Sequence, residues 1–381
     1  MQGIKEADPL LAHAVRPYSA LRDPTANEVR IFLDADAWLA DELDGVVFAT
    51  HNTADLEVTC KKFRLSDNQR QQSGYSLTCP DPGEAYTHVV LRPPASMYWP
   101  HDNLHALAIE TIKTELVAAV GWCTAPLYSE LPTFGSWVDD AVRVGVSRIY
   151  AYVAVSHGQS RHFSMVFGVR FIKANFTPFE PFEHPAVQYL EYQPHGHRFY
   201  FAQTTMLSEC VYRNKHAHTY LVMADADEFL SIREPSRGLH AILQSAFLTP
   251  AAGVLLDVIA YPQACQPLWN ATSQQMNVPA DSSEAEACHL FDQTTMGYEW
   301  PKTIIMPART DHFMVHNVHV PKPGFKMHAV YPSGKMHFKH IRVGAECTQG
   351  QSDLLIDDRN STAFDEAAER NKKDVWFVRP L

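Results

Sequence analysis

From Leu116 onward the chain alternates between short apolar stretches and segments with helical spacing, and this alternation constrains the fold more than any other feature. Strands separated by helices favour a mostly parallel sheet with crossover helices. Ligands of such sheets bind beyond the carboxyl ends of the strands. The predicted order is strand 116–122, a turn at 124–126, helix 134–142, strand 148–155, helix 164–173, strand 187–192, helix 201–213 and strand 220–224.

The residues before this α/β region have a different character. Residues 1–26 carry proline and mixed charge with little periodicity, which predicts an irregular lead-in. Residues 27–100 predict a small β-rich module, because short β-branched and aromatic runs alternate there with turn chemistry. The α/β domain is predicted over residues 101–381. Within the module the best strand candidates are 29–33, 45–48 and 87–91, and the clearest turn is 80–83.

Charge and hydropathy exclude several classes of partner. The formal net charge of -11 argues against nucleic acid or an anionic membrane surface as the main partner, since both need clustered Lys and Arg. No stretch approaches the ~20 apolar residues of a membrane helix. Residues 1–17 lack the basic end and apolar core of a signal peptide. We therefore expect no membrane span in this chain.

Cysteines and glycosylation motifs favour a secretory compartment. None of the seven cysteines forms a Cys-x-x-Cys pair, which argues against a zinc ribbon or a thioredoxin-like site. The spacings of Cys60/Cys79 and Cys265/Cys288 suit local disulfides. Sequons at Asn175, Asn270 and Asn360 point the same way. We expect the Golgi lumen if an anchor or signal is missing from this sequence, and a soluble cytoplasmic protein otherwise.

Two aspartates, Asp225 and Asp227, follow the predicted strand at 220–224 with one small residue, Ala226, between them. With Ala226 directed away, both carboxylates can face one site at the end of the strand. Such a pair can hold Mg²⁺ or Mn²⁺ and leave coordination positions free for diphosphate oxygens. The same spacing also occurs in solvated acidic turns, so the surrounding sequence has to distinguish a metal site from such a turn.

The chain contains a second Asp-x-Asp motif for comparison. Asp34 and Asp36 also follow an apolar strand, but no strand–helix unit precedes them. We interpret this pair as a structural turn, or as a helix start capped by aspartate. The pair at 225 and 227 differs, because two strand–helix units precede it.

A predicted helix with Gln203, Cys210 and Arg213 precedes a strand that ends in Asp-x-Asp-Glu-Phe at residues 225–229. This context of the aspartate pair resembles glycosyltransferase family 92. Thr303 and Ile341 stand where the family has Ser and Tyr. The further matches, which extend the resemblance over roughly residues 57–345, are Cys60, Cys79-Pro80, the turn 123–127, the helix and exit at 137–150, the segment 300–305, Val315-His316 and His340-Ile341-Arg342.

The resemblance implies a fold and an activity. The fold is a nucleotide-binding α/β domain of the glycosyltransferase A type with a mostly parallel mixed sheet, preceded by the β-rich module. The activity is a metal-dependent, inverting transfer of a hexose, galactose from UDP-galactose, to a glycan acceptor. The turn that contains Cys123 and Pro126 is expected to contact the UDP-sugar.

The resemblance also suggests metal and phosphate contacts. A histidine from the C-terminal part commonly completes the metal shell of such folds, which makes His316 or His340 a candidate beside the two aspartates. Imidazole suits Mn²⁺ better than Mg²⁺, so manganese is the expected metal. Lys302 and Arg342 are candidates to neutralise the diphosphate.

An inverting transfer also needs a general base on the acceptor hydroxyl. Asp292, Glu299 and Asp311 lie in the appropriate half of the chain, and Glu228 lies beside the aspartate pair. For Glu228 we favour an anchoring role, in which its carboxylate accepts backbone N–H bonds. The sequence does not choose among the remaining three.

Two other functions fit the same aspartates. One is a metal-dependent phosphoryl-transfer enzyme or hydrolase. A phosphatase with an aspartyl nucleophile would carry its motif after the first strand, however, and here it follows about the fourth. The other is an inactive carbohydrate-binding relative, against which the intact Asp225, Asp227 and Lys302 argue.

Overall fold

The computed structural model describes residues 15–36, 45–49, 56–65, 72–92, 106–127, 131, 133–155, 162–167, 170–175, 179–192, 202–233, 237–262, 269–270, 275–276, 301–331 and 335–342. The helices are α1 (Phe134–Val144), α2 (Gln203–Arg213) and α3 (Leu239–Ala246), and a 3-10 turn spans Pro307–Arg309. The strands are β1 (Val15–Asp23), β2 (Glu28–Asp36), β3 (Gly45–Ala49), β4 (Leu56–Val58), β5 (Lys61–Arg64), β6 (Gln72–Pro80), β7 (His88–Arg92), β8 (Leu107–Thr111), β9 (Ala118–Leu127), β10 (Arg148–Ala154), β11 (His162–Phe167), β12 (Arg170–Asn175), β13 (Val187–Tyr192), β14 (His218–Met223), β15 (Glu228–Ile232), β16 (Ala251–Leu256), β17 (Val258–Pro262), β18 (Trp269–Asn270), β19 (Gln275–Met276), β20 (Lys302–Ile305), β21 (Thr310–Phe313), β22 (Val318–Pro321), β23 (Lys326–Val330) and β24 (Met336–Arg342).

The α/β region is built on a seven-stranded mixed sheet with the order β13-β10-β9-β14-β20-β16-β23. The neighbours β13, β10, β9 and β14 are parallel, and β20 runs antiparallel between β14 and β16. Strand β14 is buried on both faces: Tyr220 and Val222 pack with α1 and α3, whereas Leu221 and Met223 pack with α2. This double burial explains why β14 has a continuous apolar run rather than an alternating one.

The N-terminal region forms an eight-stranded sheet with the order β4-β3-β7-β8-β1-β2-β6-β5. Its two edge strands, β4 and β5, are consecutive in the chain, and only Thr59 and Cys60 join them. Since two residues span a short distance, the sheet curls until its edges approach each other. A disulfide between Cys60 and Cys79, the pair expected from their spacing, ties this corner to β6.

Strand β2 faces two different environments. Its odd-numbered residues, among them Val29, Ile31 and Leu33, are buried in the core of the N-terminal sheet. Its even-numbered residues meet the α/β region: Phe32 packs with Tyr212 of α2. This period-two alternation joins the two parts of the chain through one strand.

Three expectations for the N-terminal region are wrong. Residues 15–23, predicted to be irregular, form strand β1, which pairs with β2. Strand β8 pairs with β1 although it lies beyond the boundary expected at residue 100. Asp34 and Asp36 lie within β2 rather than in a turn or at a helix start. Strand pairing, a long-range effect, extends these elements past their local propensity.

In the α/β region most predicted elements are confirmed, including the helices at 134–142 and 201–213 and the strand at 220–224. The helix expected at 164–173 is wrong, because these residues form the hairpin of β11 and β12. The turn expected at 124–126 is part of β9, whose pairing with β10 shifts register there. None of the described helices has the length and apolar character needed to cross a lipid bilayer.

Candidate functional site

The strand β14 ends directly before the Asp225–Asp227 segment, at the carboxyl edge of the parallel strands. Ala226 is buried in the hydrophobic core, whereas the side chains of Asp225 and Asp227 are 34% and 33% exposed. The backbone N–H of Glu228 donates to the Asp225 carbonyl at 3.2 Å and closes a turn. The alternation expected at this position is therefore present, with the small residue inside and both carboxylates outside.

Two buried tryptophans fix the backbone on either side of this turn. The indole N–H of Trp122 donates to the Ala224 carbonyl at 3.1 Å, and that of Trp137 donates to the Glu228 carbonyl at 2.9 Å. Both tryptophans lie in the core, in edge-to-face contact with each other. Because buried indoles have fixed positions, the two carbonyls define where the aspartates are presented.

Asp225 is held by two partners that are distant in sequence. Its Oδ2 lies 2.6 Å from the Lys302 ammonium, and its Oδ1 accepts a hydrogen bond of 2.9 Å from the Gln203 amide. The same amide nitrogen donates to the Ala125 carbonyl at 2.8 Å. Gln203 therefore connects the end of β9 with the aspartate, and Lys302 reaches it because β20 pairs antiparallel with β14.

Glu228 acts as an anchor, as expected. Its Oε2 accepts the backbone N–H of Asp225 at 2.8 Å and lies 3.2 Å from the Lys302 ammonium. Burial raises the pKa of Glu228, reinforced by the charges of Asp225 and Asp227 and opposed by Lys302. Burial disfavours the charged form of Lys302, but the Asp225 and Glu228 carboxylates outweigh it and raise the pKa of this lysine. Lys302 is thus a buried cation that pairs with the Asp225 carboxylate and also contacts the carboxyl group of Glu228.

Both candidate histidines lie at this site. Strand β24 pairs with β15 so that His340 lies opposite Glu228, and its Nε2 is 3.2 Å from Asp227 Oδ2. Burial and the charge of Lys302 lower the pKa of the His316 imidazole to about 4, although the charge of Asp225 opposes this shift. His316 is therefore neutral at pH 7. His340 therefore contacts Asp227, whereas His316 lies within electrostatic range of Asp225 and Lys302.

The side-chain oxygen and nitrogen atoms at this site are suitable ligands for a divalent cation whose other ligands come from a bound substrate. Asp227 Oδ2 and His340 Nε2 lie 3.2 Å apart, and the partly exposed carboxylate of Asp225 is two residues before Asp227 in the same turn. Within the described residues, no group of three or more His, Cys, Asp and Glu side chains is arranged to hold a metal by itself. The donor set fits an ion such as Mn²⁺ or Mg²⁺ that keeps most positions for phosphate oxygens and water.

Of the remaining candidates, Cys123 is buried in a disulfide with Cys210, a pairing that spacing did not suggest, so it has no free thiol. Pro126 remains at the end of β9, half-buried, near the site edge. Arg342 ends β24, two residues after His340. Asp292 and Glu299, as well as the Cys265/Cys288 pair, lie outside the described residues.

The structure does not place Asp311 at the site. It lies on β21, where its Oδ1 is 3.0 Å from the Arg30 guanidinium of β2. Burial opposes ionisation, but Arg30 lowers the pKa of Asp311 below its usual range. The Arg30 side chain stacks on Tyr212, near the C-terminal end of α2, whereas the aspartate pair is contacted by the first residue of that helix. Asp311 therefore belongs to the contact between the two parts of the chain, which contradicts its selection as a base.

Sequence reasoning did not assign a function to Gln203, although this residue was part of the family pattern. A polar residue at the start of an otherwise apolar helix face is a weak signal, because an amide is equally suited to solvent. Its buried position between Ala125 and Asp225 depends on the packing of α2 against β9.

The paired carboxylates, the buried lysine and the two histidines lie at the carboxyl edge of the parallel strands of a mixed α/β sheet. This is the edge at which open α/β sheets bind their ligands. A profile of glycosyltransferase family 92 matches residues 118–373, more than half of the chain. The chain therefore belongs to glycosyltransferase family 92. No curated protein matches it in a sequence search.

Proposed function

We propose that this chain is a metal-dependent, inverting glycosyltransferase with the glycosyltransferase A fold, which transfers galactose from UDP-galactose to a glycan acceptor. The observation that carries the proposal is the pairing of Asp227 with His340, 3.2 Å apart, beside the Asp225–Lys302 ion pair. Family membership supports the glycosyl transfer. We infer the metal dependence from the types of metal-ligating side chain at the site. We infer the sugar donor, UDP-galactose, from the family resemblance.

In this proposal Asp227 and His340 hold the cation, and Asp225 stands beside them. Mn²⁺, when bound, would act as a Lewis acid for the leaving diphosphate. Lys302 would place a second positive charge near the diphosphate, because its ammonium contacts the partly exposed carboxylate of Asp225. Glu228 keeps the turn in place by accepting the Asp225 N–H.

The general base is assigned to Asp292 or Glu299. Asp311 is not retained, since its carboxylate is paired with Arg30 at the contact with the N-terminal sheet. The test is to compare Asp292→Asn and Glu299→Gln. Loss of turnover with UDP binding retained identifies the base, and full activity in both variants contradicts this assignment.

We also propose a secretory, Golgi-type compartment. The disulfides Cys60–Cys79 and Cys123–Cys210 support it, because such bonds persist in oxidising environments.

The experiment that tests the proposal is a panel of nucleotide-sugars, with and without Mn²⁺, read by thermal stabilisation and by release of nucleoside diphosphate. We expect UDP-galactose to give the largest Mn²⁺-dependent response. The absence of a response to any UDP-sugar would overturn the proposal. Release of inorganic phosphate would favour a phosphohydrolase, and stabilisation without any UDP release in the presence of glycan acceptors would favour an inactive carbohydrate-binding relative.

A further inference from the structure

The first turn of α2 is held by the N-terminal sheet. The hydroxyl of Thr205 donates to Oδ1 of Asp34 on β2 at 2.6 Å, and both residues are buried. The Tyr18 hydroxyl of β1 donates to Oδ2 of the same aspartate at 2.9 Å. Gly74 of β6 lies so close to the Thr205 hydroxyl that a Cβ would collide with it. Strands β2 and β6 of the N-terminal sheet therefore contact this turn directly, and β1 holds Asp34 in place.

The same turn begins with the residue that contacts the site. Gln203 is the first residue of α2, two positions before Thr205, and its amide bonds Asp225 and the Ala125 carbonyl. In a helix, residues two positions apart in one turn move together, because the backbone geometry is rigid. A displacement of Thr205 would therefore displace the Gln203 amide and alter its bond to Asp225.

The helix lacks its own stabilisation at this end. The residue before it, Ala202, has a left-handed backbone and makes no side-chain cap, and no acidic residue lies in the first turn. The first N–H groups of a helix carry partial positive charge, which a nearby carboxylate stabilises. Asp34 brings a carboxylate to this turn from a different part of the chain.

We propose that Asp34 is a positioning residue for the donor site, acting through Thr205 and Gln203 on Asp225. The Asp-x-Asp motif at residues 34–36 then contributes to the reaction through one aspartate, without contact to the substrate. The N-terminal sheet is accordingly part of the transfer machinery and sets the geometry of the aspartate pair. This inference rests on the proposed function, because the position of Asp225 matters for the reaction only if Asp225 takes part in binding the nucleotide-sugar.

The test uses the full chain with Thr205→Val and Asp34→Asn, which remove the hydrogen bond or the charge with little change of shape. The matched control is Tyr212→Phe, which also removes a hydrogen bond between α2 and β2, to Glu28, but at the other end of the helix. Thr205→Ser, which keeps the hydroxyl, is the rescue variant. We expect the first two variants to weaken UDP binding in Mn²⁺ by about tenfold, the lower end of the effect of outer-shell partners of a metal site. Tyr212→Phe and Thr205→Ser should bind UDP like the wild type.

A second readout does not depend on a ligand. The indole N–H groups of Trp122 and Trp137 donate to the carbonyls on either side of the aspartate turn, so their nuclear magnetic resonance signals report its position. We expect these signals to shift in Thr205→Val and Asp34→Asn but not in Tyr212→Phe. Gly74→Ala, which crowds Thr205 from β6, should shift them as well.

The outcomes are separable. If the wild type does not bind UDP in Mn²⁺, the proposed function fails, while the indole signals still decide whether Asp34 acts on the aspartate turn. If Thr205→Val and Asp34→Asn match Tyr212→Phe in both UDP affinity and indole signals, the positioning role is overturned. If Thr205→Val does not fold, Asp34→Asn and Gly74→Ala decide by the same two measurements.

Discussion

The ammonium of Lys302 lies 2.6 Å from Oδ2 of Asp225, although 77 residues separate them in the chain. The antiparallel pairing of β20 with β14 brings them together, and Glu228 completes the group as a second carboxylate. Only 4% of Lys302 is exposed, so its charge is compensated by protein rather than by water. The site is therefore electrostatically organised before any ligand arrives.

Replacement of Lys302 by methionine should destabilise the fold as well as weaken nucleotide binding. The change removes the contacts of the Lys302 ammonium with Asp225 and Glu228 and leaves these groups without their buried partner, which we expect to cost about 2 kcal/mol in the free energy of unfolding. Chemical denaturation measures this loss. Lys326→Met, an exposed lysine on β23 of the same sheet, is the control. Equal stability of the two variants would show that the buried lysine does not stabilise these groups.

His218 should make the fold sensitive to mild acid. Its Nδ1 contacts the Ala118 carbonyl at 3.0 Å and its Nε2 contacts the Tyr150 hydroxyl at 2.8 Å, and burial lowers its pKa to about 4. The unfolded chain, with a histidine pKa near 6.5, binds more protons between pH 6.5 and 4. Stability therefore falls as the pH falls through this window, by up to about 3 kcal/mol for this residue.

The measurement is the free energy of unfolding between pH 7 and 4 for wild type and His218→Gln. We expect the variant to be less stable at pH 7, because buried hydrogen bonds are disturbed, and to lose less stability on acidification. His240→Gln, at an exposed position on α3, should keep the wild-type pH dependence. An unchanged slope in His218→Gln would contradict the assignment.

The two disulfides should differ in their effect on stability. Cys60–Cys79 closes a separation of 19 residues and Cys123–Cys210 one of 87 residues. In the chain-entropy account, these bonds stabilise by about 3 and about 4.5 kcal/mol. We expect Cys123→Ser with Cys210→Ser to lower the melting temperature more than Cys60→Ser with Cys79→Ser. The reverse order would indicate that the α2–β9 link contributes less than its loop length implies.

The sequence predicted the elements that carry the aspartates because their apolar periodicity is local and strong. The same reasoning failed at residues 164–173, where a hairpin replaces a helix, and at β1, whose pairing with β2 is a long-range effect. The anchoring role of Glu228 was foreseen from its adjacency to the pair. The partners of Gln203 and Asp34 were not, because they depend on the packing of α2 between two sheets that lie far apart in the chain.

The most direct test of the central claim, that the Asp225/Asp227 pair binds a metal–nucleotide diphosphate, is calorimetric titration of UDP with and without Mn²⁺. We expect the wild type to bind UDP much more tightly in Mn²⁺. Asp227→Asn should lose at least about tenfold of that affinity, comparable to the loss of a metal-site partner. The control is Asp139→Asn, whose side chain is 77% exposed on α1. Mn²⁺-dependent UDP binding that survives Asp227→Asn unchanged would contradict the account.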